Sequence, residues 1–348
     1  MKYQHVRFEG FGYALPDNVV TSAEIERQLV PIYERFNLRE GRLELMSGIR
    51  ERRFWDEGSV PSDGSTLAGE RALKASSVEA GHIECLLHTS VSRDFLEPAT
   101  ASVVHHNLSL LPEALFYDIS NACLGFVNGI LTLANMIELG QVKRGLIVAG
   151  ESSRRLVHST IAHLLSSPGL TRQQLKSAFA SLTIGSGAVA LVMAHDSVSR
   201  TGHRLLGGVV RTATQHNHLC QGSTDTGFAS DSSMVMDTDA ETLLNNGCEL
   251  AAETWEKFQE EMGWRDEEIR RTYCHQVGQV HRDRFYEAIG LDSSKDFSTF
   301  EFLGNVGSVS LPLTTAMGVE RDPPASGDKL ALLGIGSGLS SAMLGVVW

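Results

Sequence analysis

The sequence is short of cysteine, has no long apolar run and carries no excess of positive charge, and each shortage removes a class of protein. Its 348 residues include five cysteines, at positions 85, 123, 220, 248 and 274. That odd number holds no Cys-x-x-Cys pair and no Cys/His cluster at zinc-finger spacing, which argues against both a disulfide framework and a structural zinc. No stretch reaches the roughly 20 apolar residues needed to span a bilayer. The N-terminal MKYQHVRFEGFGYALP lacks the continuous apolar core of a signal peptide. The expectation is a cytoplasmic protein without a transmembrane segment. The formal net charge of -12 has the sign of nucleic acid and of anionic membrane, so broad attraction to either is not expected. Catalytic signatures are missing too. No Gly-x-Ser-x-Gly elbow occurs, and GIGSG (334 to 338) has no following Lys to make a phosphate loop. The pairs His105/His106 and His216/His218 have no Asp, Glu or Cys at ligand spacing, so no metal is expected.

What is present is the pattern of an α/β enzyme. Aliphatic and β-branched runs, IECLLHTS (83 to 90), LFYDIS (115 to 120), RGLIVAG (144 to 150) and AVALVMA (188 to 194), alternate with helical stretches. After the polar stretch HDSVSRTGHR (195 to 204) the style repeats, with LLGGVVRTAT, a long helical segment near 239 to 262, RTYCHQ and KLALLGIGSG. GSGAVALVMA (185 to 194) and GSGLSSAMLGVVW (336 to 348) close the two parts alike. An internal duplication follows, with halves at residues 1–195 and 196–348. EGSVPSDGS (57 to 65), SSPGL (166 to 170) and RDPPASGD (321 to 328) read as surface turns, and the polar segment 214 to 233 as a flap near a substrate entrance.

The most informative segment is FYDISNACLGFVNGILTLANMIELG, residues 116 to 140. A strand ending near Ser120 turns abruptly through Asn121, Ala122 and Cys123 into a helix that is apolar around most of its circumference, hence buried. A thiol at the first turn of such a helix faces unsatisfied N–H groups and the positive end of the dipole, which favour thiolate. Cys123 is therefore the candidate nucleophile. His275, in CHQVGQVH, and Asn305, in the Gly-rich turn of EFLGNVGSVSLPL, are weak signals singly. Beside a helix-start cysteine they supply two neutral donors for an oxyanion or enolate.

The order Asn-Ala-Cys-x-Gly-Phe, His-Gln, Gly-Asn-x-x-Ser and Gly-x-Gly-Ser-Gly resembles ketoacyl-ACP synthase III and its relatives in the thiolase superfamily over essentially the whole chain. Within it, TSVSRDFLEPATAS (89 to 102), NACLGFVNG, HQVGQVH and LLGIGSGLSSAMLGVVW are most similar to the OleA family. The resemblance implies a five-layered α-β-α-β-α fold built from two similar halves and a homodimer. It also implies head-to-head joining of two long-chain acyl-CoA molecules to a 2-alkyl-3-ketoacid for olefin biosynthesis. By residue, it implies that Cys123 takes the acyl group, that His275 and Asn305 hold the second thioester oxygen, and that Gly338 offers a backbone N–H to the acyl-enzyme oxygen. Glu97, in Leu96-Glu97-Pro98-Ala99-Thr100, is implied as the base, contributed across the dimer interface. Two unactivated acyl groups need such a base, because their α-proton is far less acidic than a carboxylic acid. No cofactor is implied beyond acyl-CoA as substrate; possible partners are an acyl carrier protein or downstream olefin-pathway enzymes.

Val277-Gly278 stands where ketoacyl-ACP synthase III has Ala-Asn, which weakens the case for carrier-protein docking. GIGSG also lacks the cysteine of degradative thiolases. Three other functions stay open to the sequence: decarboxylative condensation of acyl-CoA with malonyl-ACP, a cysteine thioesterase, and a catalytically silent subunit.

Overall fold

The structure, a computed structural model, describes residues 1–222 and 236–348. Nine strands make one mixed sheet: β1 (Val6–Ala14), β2 (Cys85–His88), β3 (Leu115–Asp118), β4 (Arg144–Glu151), β5 (Gly187–His195), β6 (Arg204–Thr212), β7 (Ile269–Cys274), β8 (Lys329–Gly336) and β9 (Ser340–Val347). They lie in the order β7-β8-β9-β6-β1-β5-β4-β2-β3. At the centre β1 and β6 meet through one bridged pair, Arg7 with Arg204. Outward from this seam both sides follow one plan, antiparallel, antiparallel, then parallel: β1-β5-β4-β2 on one side and β6-β9-β8-β7 on the other. The first set lies wholly before residue 196 and the second wholly after it. β3 extends only the first side, where among the described residues it pairs with β2 alone and no strand covers its outer edge.

Six helices complete the layers: α1 (Pro61–Ser76), α2 (Thr100–Asn107), α3 (Gly125–Glu138), α4 (Ala240–Met262), α5 (Gln279–Ile289) and α6 (Ser310–Arg321). Period-2 alternation decides which strand residues meet which helices. Leu86, Leu146 and Val148 face outward to Ala68 and Ala72 of α1 and Val104 of α2. Cys85, Leu87 and Ile147 face inward, in the same cluster as Phe126 and Ile130 of α3 and Leu311 and Leu313 of α6. On the second side Leu330, Leu332 and Leu344 join that central cluster, while Ala331, Leu333 and Met343 pack outward on Trp255, Phe258 and Phe285 of α4 and α5. Helix, sheet, helix, sheet, helix is thus the order of layers. α3 and α6 are buried in the middle, which is why nine of the fourteen residues of α3 are buried. Its first residue must be Gly125, because a Cβ there would stand 2.3 Å from the Thr89 carbonyl oxygen at the end of β2.

Two local expectations change. EGSVPSDGS is only half a turn: Pro61 opens α1 and the Asp63 carboxylate accepts the Val60 N–H at 3.0 Å, so the segment is a helix start. Of the expected flap, residues 214–222 fold as a short 3-10 helix (Thr214–Leu219) and a two-residue strand paired to Asp237–Thr238. Residues 223–233 lie outside the described part. No described helix is long and apolar enough to cross a membrane.

Candidate active site

A cavity of about 630 Å³ opens at the ends of β4, β7 and β8 and is lined by residues from both sides of the sheet. Cys123, His275, Asn305 and Gly338 all line it. The Gly-Ser-Gly turns before β5 and β9 both reach it, through Gly185 on one flank and Gly336 to Gly338 on the other. The rest of the wall is largely apolar, with Leu156, Phe179, Leu243, Leu244 and Phe285 among its residues.

Cys123 sits in a sharp elbow between β3 and α3. Ala122 holds φ at +44°, a left-handed conformation that costs a non-glycine residue about 1 kcal/mol or more. The Leu124 N–H closes the turn on the Asn121 carbonyl at 2.9 Å, and the Asn121 amide donates to Asn128 of α3 at 2.6 Å. The helix itself starts at Gly125 with Leu124 as its cap, so the thiol lies just ahead of the helix rather than in its first turn. This changes the electrostatics expected of it. Burial pushes the Cys123 thiol up to about 12, and the neighbouring Cys220 and Glu151 push the same way. The backbone N–H groups of Ser337 and of Cys123 itself donate to the sulfur and oppose the rise without overcoming it. The resting group is a thiol, because desolvation outweighs the helix end. The donor that reaches the sulfur from outside its own segment belongs to Ser337, one residue before Gly338, in the three-residue turn where Gly338 has φ +79°.

His275 follows β7, and its N–H continues the ladder to the Leu333 carbonyl at 3.0 Å. Gln276 fixes the next step, donating to the Cys274 carbonyl at 3.0 Å and accepting the Thr299 N–H at 3.1 Å. The imidazole is buried, and its Nδ1 has no hydrogen-bond partner among the described residues. Burial first, then the neighbouring His281, pushes His275 down to about 4. It is therefore neutral at physiological pH, as the oxyanion reading requires.

Asn305 is set by its backbone on both sides. Its N–H donates to the Thr183 carbonyl (3.1 Å), and its carbonyl accepts the Gly185 N–H (2.8 Å). The contact is so close that a Cβ on Gly185 would lie 2.0 Å from the Leu303 oxygen. The side-chain orientation is fixed as well. Oδ1 accepts the Gly307 N–H at 3.0 Å and the Ser310 hydroxyl at 3.4 Å, whose oxygen in turn accepts the Val306 N–H at 2.7 Å. With the acceptor end occupied, Nδ2 is left as a donor with no partner among the described residues.

Glu97 is exposed, in the segment between β2 and α2, and does not line the cavity of its own chain. Two cavity residues were missed in the sequence. Glu151, the last residue of β4, is 5% exposed and accepts from the Val91 and Ser92 N–H groups and the Ser308 hydroxyl. An acid ending the apolar run RGLIVAG was the signal available. His281, six residues beyond His275, is likewise pushed down to about 4 by burial. The strongest metal candidate among the described residues is remote from the cavity and already satisfied. In His5/His195/Asp196 the carboxylate meets Arg7 at 3.3 Å, and the Ser197 N–H donates to Nδ1 of His195 at 3.1 Å.

A cysteine, a neutral histidine and an asparagine lining one cavity in a fold with two similar α/β sides match a thiolase-fold condensing enzyme. Residues 117–213 match the family of 3-oxoacyl-[acyl-carrier-protein (ACP)] synthase III, and residues 259–348 its C-terminal family. A β-ketoacyl-[acyl-carrier-protein] synthase III of Streptomyces coelicolor is 24% identical, over 97% of this chain and 96% of that one. Similarity is greater to the acyl-CoA:acyl-CoA alkyltransferases of Shewanella oneidensis and Xanthomonas campestris, at 41% and 37% identity over 100% of each chain. The crystal structure of cerulenin-bound Xanthomonas campestris OleA matches at a TM-score of 0.94 with 36% identity, covering 100% of this chain and 98% of that one. The chain belongs to the acyl-CoA:acyl-CoA alkyltransferase (OleA) family of condensing enzymes. Other solved variants of the Xanthomonas protein replace a glutamate and a cysteine separated by the same interval as Glu97 and Cys123.

Proposed function

We propose that this enzyme joins two acyl-CoA thioesters without obligatory decarboxylation. Cys123 attacks the first thioester and passes its proton to neutral His275; CoA leaves as its thiol and the acyl group stays on sulfur. A second acyl-CoA then loses an α-proton to Glu97. Its thioester oxygen gathers negative charge against the His275 and Asn305 Nδ2 donors, and the new carbanion attacks the acyl-Cys123 carbonyl and expels the sulfur. The Gly338 turn serves that carbonyl oxygen with backbone N–H. The product is a β-ketoacyl thioester, and its hydrolysis gives the 2-alkyl-3-ketoacid. The observation that carries this reading is Asn305 with its acceptor end occupied and its donor end without a partner among the described residues, in the same apolar cavity as the half-buried Cys123 thiol and a neutral imidazole. A volume of about 630 Å³ lies in the range of pockets that enclose whole small-molecule ligands, about 300–1,000 Å³.

The proposed assembly is an isologous dimer joined along β3, with Glu97 of each subunit serving the site of the other. What supports it is the edge of β3, unpaired among the described residues and with Leu115, Phe116 and Tyr117 exposed, together with the exposed Phe95 and Leu96 of the Glu97 segment. An exposed apolar edge strand is a template for pairing. A cytoplasmic location fits five free thiols and CoA substrates.

Long-chain acyl-CoA supplied alone should yield free CoA and a β-keto product. Strict dependence on malonyl-ACP would instead mean decarboxylative condensation, and CoA release without a new C–C bond a thioesterase. For the shared site, inactive Cys123→Ala and Glu97→Ala proteins are unfolded and reassembled together. Random pairing makes about half the dimers mixed, and one site in each mixed dimer regains both groups, so about a quarter of all sites recover. Verified mixed dimers as inactive as their parents would rule the shared site out.

A further inference from the structure

The Glu97 segment is exposed, yet a base must be placed to within a fraction of an ångström of the proton it removes. Both ends of the segment are held by carboxylates that the proposed reaction does not use. At the N-terminal end Glu151 accepts the Val91 N–H (2.9 Å) and the Ser92 N–H (3.0 Å), one on each oxygen. At the C-terminal end Asp118 accepts the Thr100 N–H (2.9 Å) and the Ala101 N–H (2.8 Å), again one on each oxygen, at the start of α2. Between these grips Asp94 ties the chain, its N–H donating to the Thr100 hydroxyl and its carboxylate accepting the Ser62 N–H, and the Ala99 carbonyl accepts the Ser102 N–H and hydroxyl.

Each clamp also reaches another part of the site. Glu151 accepts the Ser308 hydroxyl at 2.7 Å, three residues beyond Asn305, and so ties the Glu97 segment to the donor loop. Asp118 ends β3, the strand that leads into the Cys123 elbow. Behind it fully buried His88 approaches Oδ1 of Asp118 at 3.7 Å through Nδ1, with Nε2 at 3.2 Å from the Ser90 hydroxyl, whose oxygen accepts the Gly150 N–H at 2.7 Å. We propose that Glu151 and Asp118 are positioning residues that clamp the two ends of the Glu97 segment and set its register against β3 and the Asn305 loop. The inference rests on Glu97 being the base.

An amide in either place keeps the shape but turns one acceptor into a donor, so one N–H of each pair meets another donor and that end is released. Glu151→Gln and Asp118→Asn are compared with wild type, each checked for dimer size and melting temperature. Three quantities are read with long-chain acyl-CoA: acylation of Cys123 in a single turnover, steady-state condensation, and the isotope effect from an α,α-dideuterated acyl chain. Acylation should stay within about threefold for Asp118→Asn. Condensation should fall about 10- to 10²-fold in both variants, the usual cost of a misplacement near 1 Å, and the isotope effect should exceed that of wild type. Condensation and isotope effect at wild-type values overturn the clamp. So does an equal loss of acylation and condensation in Asp118→Asn, which would mark a general folding role. Glu97→Gln measured alongside separates the two ideas. If it condenses like wild type, the base reading has failed; if it is blocked while both clamp variants condense normally, only the clamp has failed.

Discussion

Asn305→Asp tests the oxyanion donor with little disturbance of the fold. The substitution exchanges only Nδ2 for oxygen. Oδ1 still accepts from Gly307 at 3.0 Å and Ser310 at 3.4 Å, and both bonds favour the ionised carboxylate. The loop between α6 and the Gly185 turn therefore keeps its shape, while the free donor becomes a negative oxygen facing the position where enolate charge develops. Loss of one oxyanion donor costs about 2.7–4 kcal/mol, or 10²- to 10³-fold, and like-charge repulsion adds to that. Condensation should fall by at least about 10²-fold. Formation of the acyl-enzyme, followed as the first equivalent of CoA released to a thiol reagent, should fall far less, because in the proposed reaction Asn305 serves the second substrate. Asn305→Ala should show a similar catalytic loss together with a lower melting temperature, since it strands the Gly307 N–H at a cost of about 1–3 kcal/mol. If Asn305→Asp condenses within a few-fold of wild type, or melts as low as the alanine variant, the assigned orientation is wrong.

Labelled acyl-CoA should modify Cys123 alone, although Cys220, Cys248 and Cys274 line the same cavity; peptide mapping decides, and full label on Cys123→Ala would refute it. Stability should fall steeply as pH drops from about 6.5 to 4, because burial pushes His88, His275 and His281 down to about 4. In that window the unfolded chain binds protons that the folded chain does not, at up to a few kcal/mol per histidine; a melting temperature unchanged from pH 7 to 4.5 would contradict it. Gly185→Ala should destabilise the protein and suppress condensation, because a Cβ there would stand 2.0 Å from the Leu303 oxygen; wild-type melting would contradict it.

Much of this architecture was legible because buried parallel strands and a buried helix leave plain composition. RGLIVAG and AVALVMA became β4 and β5 with nearly every residue buried, and the segment after Cys123 became the central α3. Repeated Gly-Ser-Gly turns pointed to two similar halves, and both turns flank the cavity. What escaped notice depends on long-range contact. Nothing local in EGSVPSDGS separates a turn from a helix opened by Pro61. Glu151 draws its partners from residues 91, 92 and 308, far along the chain. The Cys123 thiol departs from the helix-end expectation because that effect is local and readable, whereas the desolvation that outweighs it is a property of the whole fold.

The raised resting position of the thiol bears on how it is activated. With Cys123 pushed up to about 12 and His275 down to about 4, the resting pair is thiol and imidazole. Both shifts make proton transfer from the sulfur to the imidazole uphill before substrate binds. In the proposed reaction the thiolate therefore forms only as the acyl carbonyl arrives and its oxygen meets the Ser337–Gly338 turn. Such a cysteine should react sluggishly with small electrophiles while reacting readily with acyl-CoA. The rate of Cys123 alkylation by iodoacetamide should accordingly keep rising through pH 9. A rate that levels off near pH 7 would show a stored thiolate and restore the helix-end explanation.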